Sequence, residues 1–203
     1  MKHIKNIYSI CITLMYIKHL NIKMLNINHH FYLSSGEKRD VYLHPEQDDK
    51  CIKIEKTAGL KSNALEARFF KKYSDSRYIP KYFGLEDTSL GRGLIVELVR
   101  DFDGNVSKSI KDYLTDNSID IKECRKYVTL IENEFIQKSI LIHDDGLQNI
   151  LLKKNSDMTY TPIMIDGFGP REWSRKTIFK VIVPFLTKKK SKQVFGKMHK
   201  RLI

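Results

Sequence analysis

Five side chains, spread along a chain of 203 residues, have the types and the order that phosphoryl transfer from a nucleotide requires: Lys53, Glu66, Asp144, Asn149 and Asp166. That chemistry asks for a cation on the phosphates, hard oxygen ligands for magnesium and an acceptor for a substrate hydroxyl proton. Asp144 and Asn149 stand five apart in a loop that feeds into an apolar run, and Asp166 is followed by Gly167 at the end of a second apolar run. If the two runs form a hairpin, its ends lie side by side and Asn149 and Asp166 can converge on one cation. Each residue also has a plainer reading: an exposed strand lysine, a solvated helix glutamate, a loop Asx turn, a turn-capping asparagine and a common Asp-Gly turn pair.

The elements that must position these groups follow from hydrophobic period and turn chemistry. Residues 31–33, 40–43 and 51–54 are short β-favouring runs separated by Ser34-Ser35-Gly36 and by residues 45–49. In the third run Ile52 and Ile54 share one face, and Cys51 and Lys53 the other. Leu65, Phe69 and Tyr73 predict a helix over 62–73, with Ser62 as its cap and Glu66 beside the stripe. Residues 93–99 read as an apolar strand, 101–105 as a turn at its exit and 107–116 as a short helix. Ile121, Cys124, Val128, Ile131 and Phe135 predict a long helix over 119–140. Residues 150–152 and 162–165, split by a turn at 155–157, predict the hairpin that ends at Asp166. The fold class expected is α+β with a strand-rich N-terminal part.

With these elements in place, the chain resembles the protein-kinase-like superfamily and, more narrowly, the YrbL family, the PhoP regulatory network proteins of bacteria. The residues that carry the resemblance are Val41-Tyr42-Leu43-His44-Pro45, Cys51-Ile52-Lys53-Ile54, Asp101-Phe102-Asp103-Gly104, Gln148-Asn149-Ile150-Leu151 and Ile165-Asp166-Gly167-Phe168-Gly169. The resemblance spans roughly residues 30–200. It implies a truncated protein-kinase-like fold with a strand-rich N-lobe over 29–100, a small and mainly helical C-lobe over 101–203, and an N-terminal extension over 1–28. It implies ATP and Mg2+ as cofactors. Lys53 then looks like the strand lysine on the α and β phosphates, and Glu66 like its ion-pair partner. Asp144 looks like the catalytic aspartate, and Asn149 and Asp166 like the metal-binding pair. Residues 94–101 would form the strand and hinge over the adenine.

The chain departs from the kinase pattern at several points. Only Gly36 stands where a glycine-rich phosphate loop is expected. His143 precedes Asp144 directly, where kinases place one residue between them. The register through Asp145 restores that gap but leaves only four residues to Asn149; Asp144 is preferred, with Asp145 kept as the alternative. Gly146 replaces the lysine that usually follows the catalytic aspartate by two. Only 34 residues follow Gly169, too few for a usual activation segment and peptide-substrate helices. Three functions stay open: an ATP-dependent phosphotransferase, a pseudokinase regulator working through protein contacts, and a polyanion-binding module.

The third of these rests on charge. Residues 171–203 hold eleven Lys and Arg against the single acid Glu172, which is +10 of the total +12. Such a cation attracts an acidic partner, anionic lipid or nucleic acid, and its few interleaved aromatics argue against base-specific reading. The plainer reading is a solvated helix face. At the other end, residues 7–17 are apolar and follow Lys2 and Lys5, but no small-residue cleavage pattern follows. The segment is read as an extension, against the alternatives of an export signal and a membrane-surface appendage, with both Met1 and Met24 open as the start. Cys11, Cys51 and Cys124 lie far apart without a CxxC pair, which disfavours a zinc ribbon and suits a reducing, cytoplasmic setting.

Overall fold

The computed structural model describes residues 24–57, 61–170 and 183–203. The apolar run 7–17, Cys11, Trp173 and the cations of 171–180 therefore lie outside the described residues. Strands β1 (Tyr32–Ser35), β2 (Arg39–Leu43), β3 (Lys50–Glu55), β4 (Tyr82–Thr88) and β5 (Gly91–Glu97) form one antiparallel sheet in the order β1-β2-β3-β5-β4. Helix α1 (Ser62–Lys72) follows β3; α2 (Ile110–Thr115) and α3 (Ile121–Lys138) follow the sheet. Strands β6 (Ile150–Lys154) and β7 (Tyr160–Met164) pair as a hairpin, and α4 (Pro184–Lys200) closes the chain. The architecture is mixed α+β, strand-rich at the N-terminal end and helix-rich at the C-terminal end.

The two faces of the sheet have different partners, as the alternation in β3 predicts. Ile52 and Ile54 pack with Ile95, Tyr42, Leu25 and Ile27 in a small outer cluster. Leu25 extends the sheet edge, bridging to Thr88, with its N–H on Asp87 O at 3.0 Å. Gly93 is required at this face, because a Cβ there would lie 2.4 Å from Ile52 Cγ2. The opposite face carries Cys51, Leu94 and Val96 into the main core with α1, α3 and the hairpin. Burial pushes the Cys51 thiol up to about 11, so it packs as a small apolar group.

Two local expectations are corrected. Ser62 does not cap α1: Lys61 precedes the helix in the left-handed region (φ 57°) without a side-chain cap bond, and the Asn63 N–H donates to Glu55 Oε1 at 2.7 Å. The buried Asn63 amide also donates to Lys53 O and Arg92 O, which fastens the helix start to the sheet. In α3, Cys124, Val128, Ile131 and Phe135 are fully buried, but Ile121 is exposed because it begins the helix, one residue after the Asp120 cap. Strand β4 went unread because Gly84 interrupts it, at an irregular register opposite β5.

The basic tail holds a larger surprise. Residues 184–200 form a well-defined helix whose Thr187, Ser191, Val194, Phe195 and Met198 are buried. Phe195 meets Phe135 edge-on at 6.0 Å between ring centroids. Ser191 Oγ donates to Ile140 O (2.9 Å) and accepts from the Ile142 N–H (3.2 Å). The helix therefore supports the chain just before the loop of Asp144. Among the described residues no helix is long and apolar enough to cross a membrane.

Candidate functional site

The sheet, α1 and the ends of the hairpin enclose a cleft of about 860 Å³, lined by Lys53, Glu66, Asp144, Asn149 and Asp166 among others. All five residues singled out by type and spacing thus face one space. Lys53 sits in the middle of β3, and the sheet's alternation turns it inward. Its Nζ lies 2.7 Å from Glu66 Oε1 and donates to Ile165 O at 2.8 Å. Glu66 reaches it from the second turn of α1. The pair is nearly enclosed, with side chains 8% and 10% exposed.

The other wall is built by the hairpin and the loop before it. Register pairs Ile150 with Met164, and the Ile165 N–H donates to Asn149 O at 2.8 Å, so Asn149 and Asp166 are adjacent across the hairpin end. Gly167 makes this convergence fit. It has φ 84°, and a Cβ there would stand 2.8 Å from Asp144 Cβ and 3.4 Å from Asn149 Nδ2. Only glycine combines that backbone with that closeness. The Asp144 carboxylate accepts from the Gly146 N–H at 2.9 Å, an Asx turn that fixes its rotamer. His143 is structural: its N–H donates to Gly167 O and its Nδ1 lies 3.0 Å from Gly169 O, which braces residues 167–169. Asp145 also borders the cleft, but its Oδ2 is taken by Arg201 near the C-terminus, which donates to it at 3.0 and 3.3 Å.

Arg39 is the residue that sequence reasoning missed. It opens β2 on the same face as Lys53, since Val41 pairs with Lys53 and Arg39 stands two residues earlier. Its guanidinium pairs with Glu66 Oε2 and donates to both oxygens of Asp166 at 3.2 Å. Period-two counting back from Lys53 across the β2–β3 turn would have flagged it. Lys53, Arg39, Glu66 and Asp166 therefore form one charge-balanced network across the cleft.

Burial raises the affinity of Asp166 for a proton, but the Lys53 and Arg39 cations, the Gly167 N–H and His143 outweigh it, so the carboxyl titrates below the usual range. A depressed carboxyl contributes stability above its ordinary value near 3.8 and loses it as pH falls through the lower folded value. The stability gap between wild type and Asp166→Asn, read by urea unfolding, is expected to narrow steadily below about pH 4. A gap that stayed constant into acid would show that charge is not what holds Asp166.

Two segments near the cleft have partners of their own. Residues 94–101 do not line the described cleft; the Leu98 N–H is used by Asp49 O and the Glu97 N–H by Lys81 O, both at 2.9 Å. Asp101-Phe102-Asp103-Gly104 is a turn as read, but it also joins parts: Asp101 Oδ1 accepts from Ser107 Oγ and from the Lys154 N–H on β6. No group of three His, Cys, Asp or Glu able to hold a metal occurs among the described residues. The donor set at the hairpin end is instead one carboxamide and one carboxylate around Gly167. That donor set is the kind magnesium takes, one or two protein oxygens with phosphate and water completing its shell, although Arg39 holds the Asp166 carboxylate in this structure.

Comparison with known proteins adds lineage to this geometry. Residues 25–203 match the family described as PhoP regulatory network protein YrbL. Protein YrbL of Escherichia coli (strain K12) is 26% identical over 155 residues, covering 72% of this chain and 74% of that one, and YrbL of Shigella flexneri matches to the same extent. The matched segment contains the sheet, the cleft and the C-terminal helix that braces it, and the chain belongs to the PhoP regulatory network protein YrbL family.

Proposed function

We propose that the chain is a kinase-like protein that binds ATP with Mg2+ in this cleft and transfers a phosphoryl group to an acceptor hydroxyl. The observation that carries the reading is the position of Lys53 Nζ, 2.7 Å from Glu66 and 2.8 Å from Ile165 O, against the residue before Asp166. Lys53, preoriented by Glu66, is suited to hold the phosphates. Asn149 and Asp166 are suited to hold the metal, which when bound neutralises charge on the phosphoryl oxygens. Asp144, fixed by its Asx turn beside them, is suited to accept the acceptor's proton.

The test is a thermal and calorimetric titration with MgATP, wild type against Asp166→Ala. At a hundredfold excess over Kd, ligand is expected to stabilise the wild type by about 2.7 kcal/mol, and the variant not at all. An unchanged wild-type melting temperature would end the proposal.

A second reading, a regulator that binds nucleotide without turnover, is favoured by Gly146. A Cβ at that position would lie 2.3 Å from Gln148 Nε2, so the glutamine side chain fills the ground where kinases carry a cation two residues after the aspartate. For either reading, the exposed Lys189, Lys192, Lys197 and Lys200 of α4 support a contact with an acidic partner, anionic lipid or nucleic acid, since the opposite face of the helix is buried.

A further inference from the structure

Of the four charges in the cleft network, Arg39 is the one without a role in the reading above. Its side chain is 11% exposed, so it is a fixed part of the wall. Lys53 has two partners independent of it, Glu66 Oε1 and Ile165 O. Asp166 is different: both its oxygens accept from Arg39 Nη2, and Oδ1 also accepts from the Gly167 N–H. A cation that takes up Asp166 therefore competes with Arg39 for the same two oxygens. Once displaced, Arg39 stays anchored through Nη1 on Glu66, the carboxylate that also holds Lys53. The freed edge of the guanidinium then faces the cleft with no carboxylate to satisfy it. A planar fork of N–H donors in an enclosed space is matched by phosphoryl oxygens.

We propose that Arg39 is a phosphate-binding residue of this cleft, one that exchanges Asp166 for a phosphoryl oxygen when a divalent cation and a nucleoside di- or triphosphate enter together. The inference rests on the nucleotide reading and extends it to a residue and to an order of events. Either component alone meets a penalty. A metal alone must compete with a guanidinium for Asp166, and a nucleotide alone finds Arg39 engaged. Together they leave every charge paired, so each strengthens the binding of the other by the same factor.

Calorimetry on the full chain tests this with three probes: MgCl2 alone, ATP in EDTA, and MgATP. In the wild type, neither MgCl2 nor ATP alone is expected to saturate at concentrations where MgATP does. In Arg39→Gln, which leaves the Lys53–Glu66 pair in place, the affinity for MgATP is expected to fall about tenfold or more, the usual worth of a charge-assisted hydrogen bond. The affinity for MgCl2 alone should rise in the same variant, because its competitor is gone. That opposite movement is something a merely structural arginine would not produce. If Arg39→Gln binds MgATP as the wild type does while Asp166→Ala does not bind, the proposal is overturned and the nucleotide reading survives. If the wild type itself fails to bind MgATP, both fall. Should Arg39→Gln fail to fold, Arg39→Lys decides. It keeps the charge beside Glu66 but loses the fork, and an unchanged MgATP affinity in it overturns the proposal equally.

Discussion

Glu66→Ala is expected to lower the unfolding free energy by about 3–5 kcal/mol, measured by urea denaturation at neutral pH. Glu66 is the only carboxylate in contact with Lys53 among the pairs of the described network, and it also takes Arg39. All three side chains are close to 10% exposed. Removing Glu66 leaves two largely buried cations facing one remaining carboxylate, Asp166, and the cleft side alone is open to water that could compensate. The loss of one partner of a buried pair is costly for this reason, whereas the loss of both is not. Lys53→Met combined with Glu66→Met should therefore be less destabilised than Glu66→Ala alone, although it removes more charge. Equal or larger loss in the double variant would mean that the pair contributes net attraction well beyond its desolvation cost. A loss under about 1 kcal/mol in Glu66→Ala would mean that the network behaves as a surface ion pair.

Asp144→Asn is expected to reduce phosphoryl transfer by about 10²–10⁴-fold while leaving MgATP affinity nearly unchanged. The substitution keeps size and the acceptor for the Gly146 N–H, and removes only the capacity to take a proton. Asp145→Asn is the natural control. Its carboxylate is committed to Arg201, a pair whose side chains are 27% and 57% exposed and whose loss costs at most about 1 kcal/mol. The two variants separate the registers that the spacing leaves open: if Asp145→Asn fails and Asp144→Asn does not, the catalytic position moves by one residue. They also separate enzyme from regulator. A regulator binds MgATP and shows no turnover for Asp144→Asn to remove, and its stability and affinity shift little with either change.

Arg201 links this loop to the basic C-terminal helix. The same helix places the Ser191 hydroxyl on Ile140 O and the Ile142 N–H, two residues before Asp144 at the nearer end. The described part of the segment that reads as a solvated cation, residues 184–200, is thus buried along one face. Its inner face braces the loop, and its outer face carries the charge.

The positions of Lys53, Glu66, Asn149 and Asp166 were legible in the sequence because each depends on a local period. Alternation puts Lys53 opposite Ile52 and Ile54, the 3.6-residue repeat puts Glu66 on the inner side of α1, and hairpin symmetry brings Asn149 to Asp166. Strand β4 and helix α4 were hidden or weakened in the same local terms. A glycine breaks the run in β4, and the stripe of α4 contains Thr187 and Ser191, which count as polar until their buried surroundings are seen. Arg39 on Asp166, Arg201 on Asp145 and Leu25 on the sheet edge were decided by tertiary structure alone. Their partners lie 127, 56 and 62 or more residues away. Charge attracts any opposite charge, and apolar surface attracts any apolar surface. Neither preference names its partner until the backbone, folded by its local periods, has brought one candidate within reach.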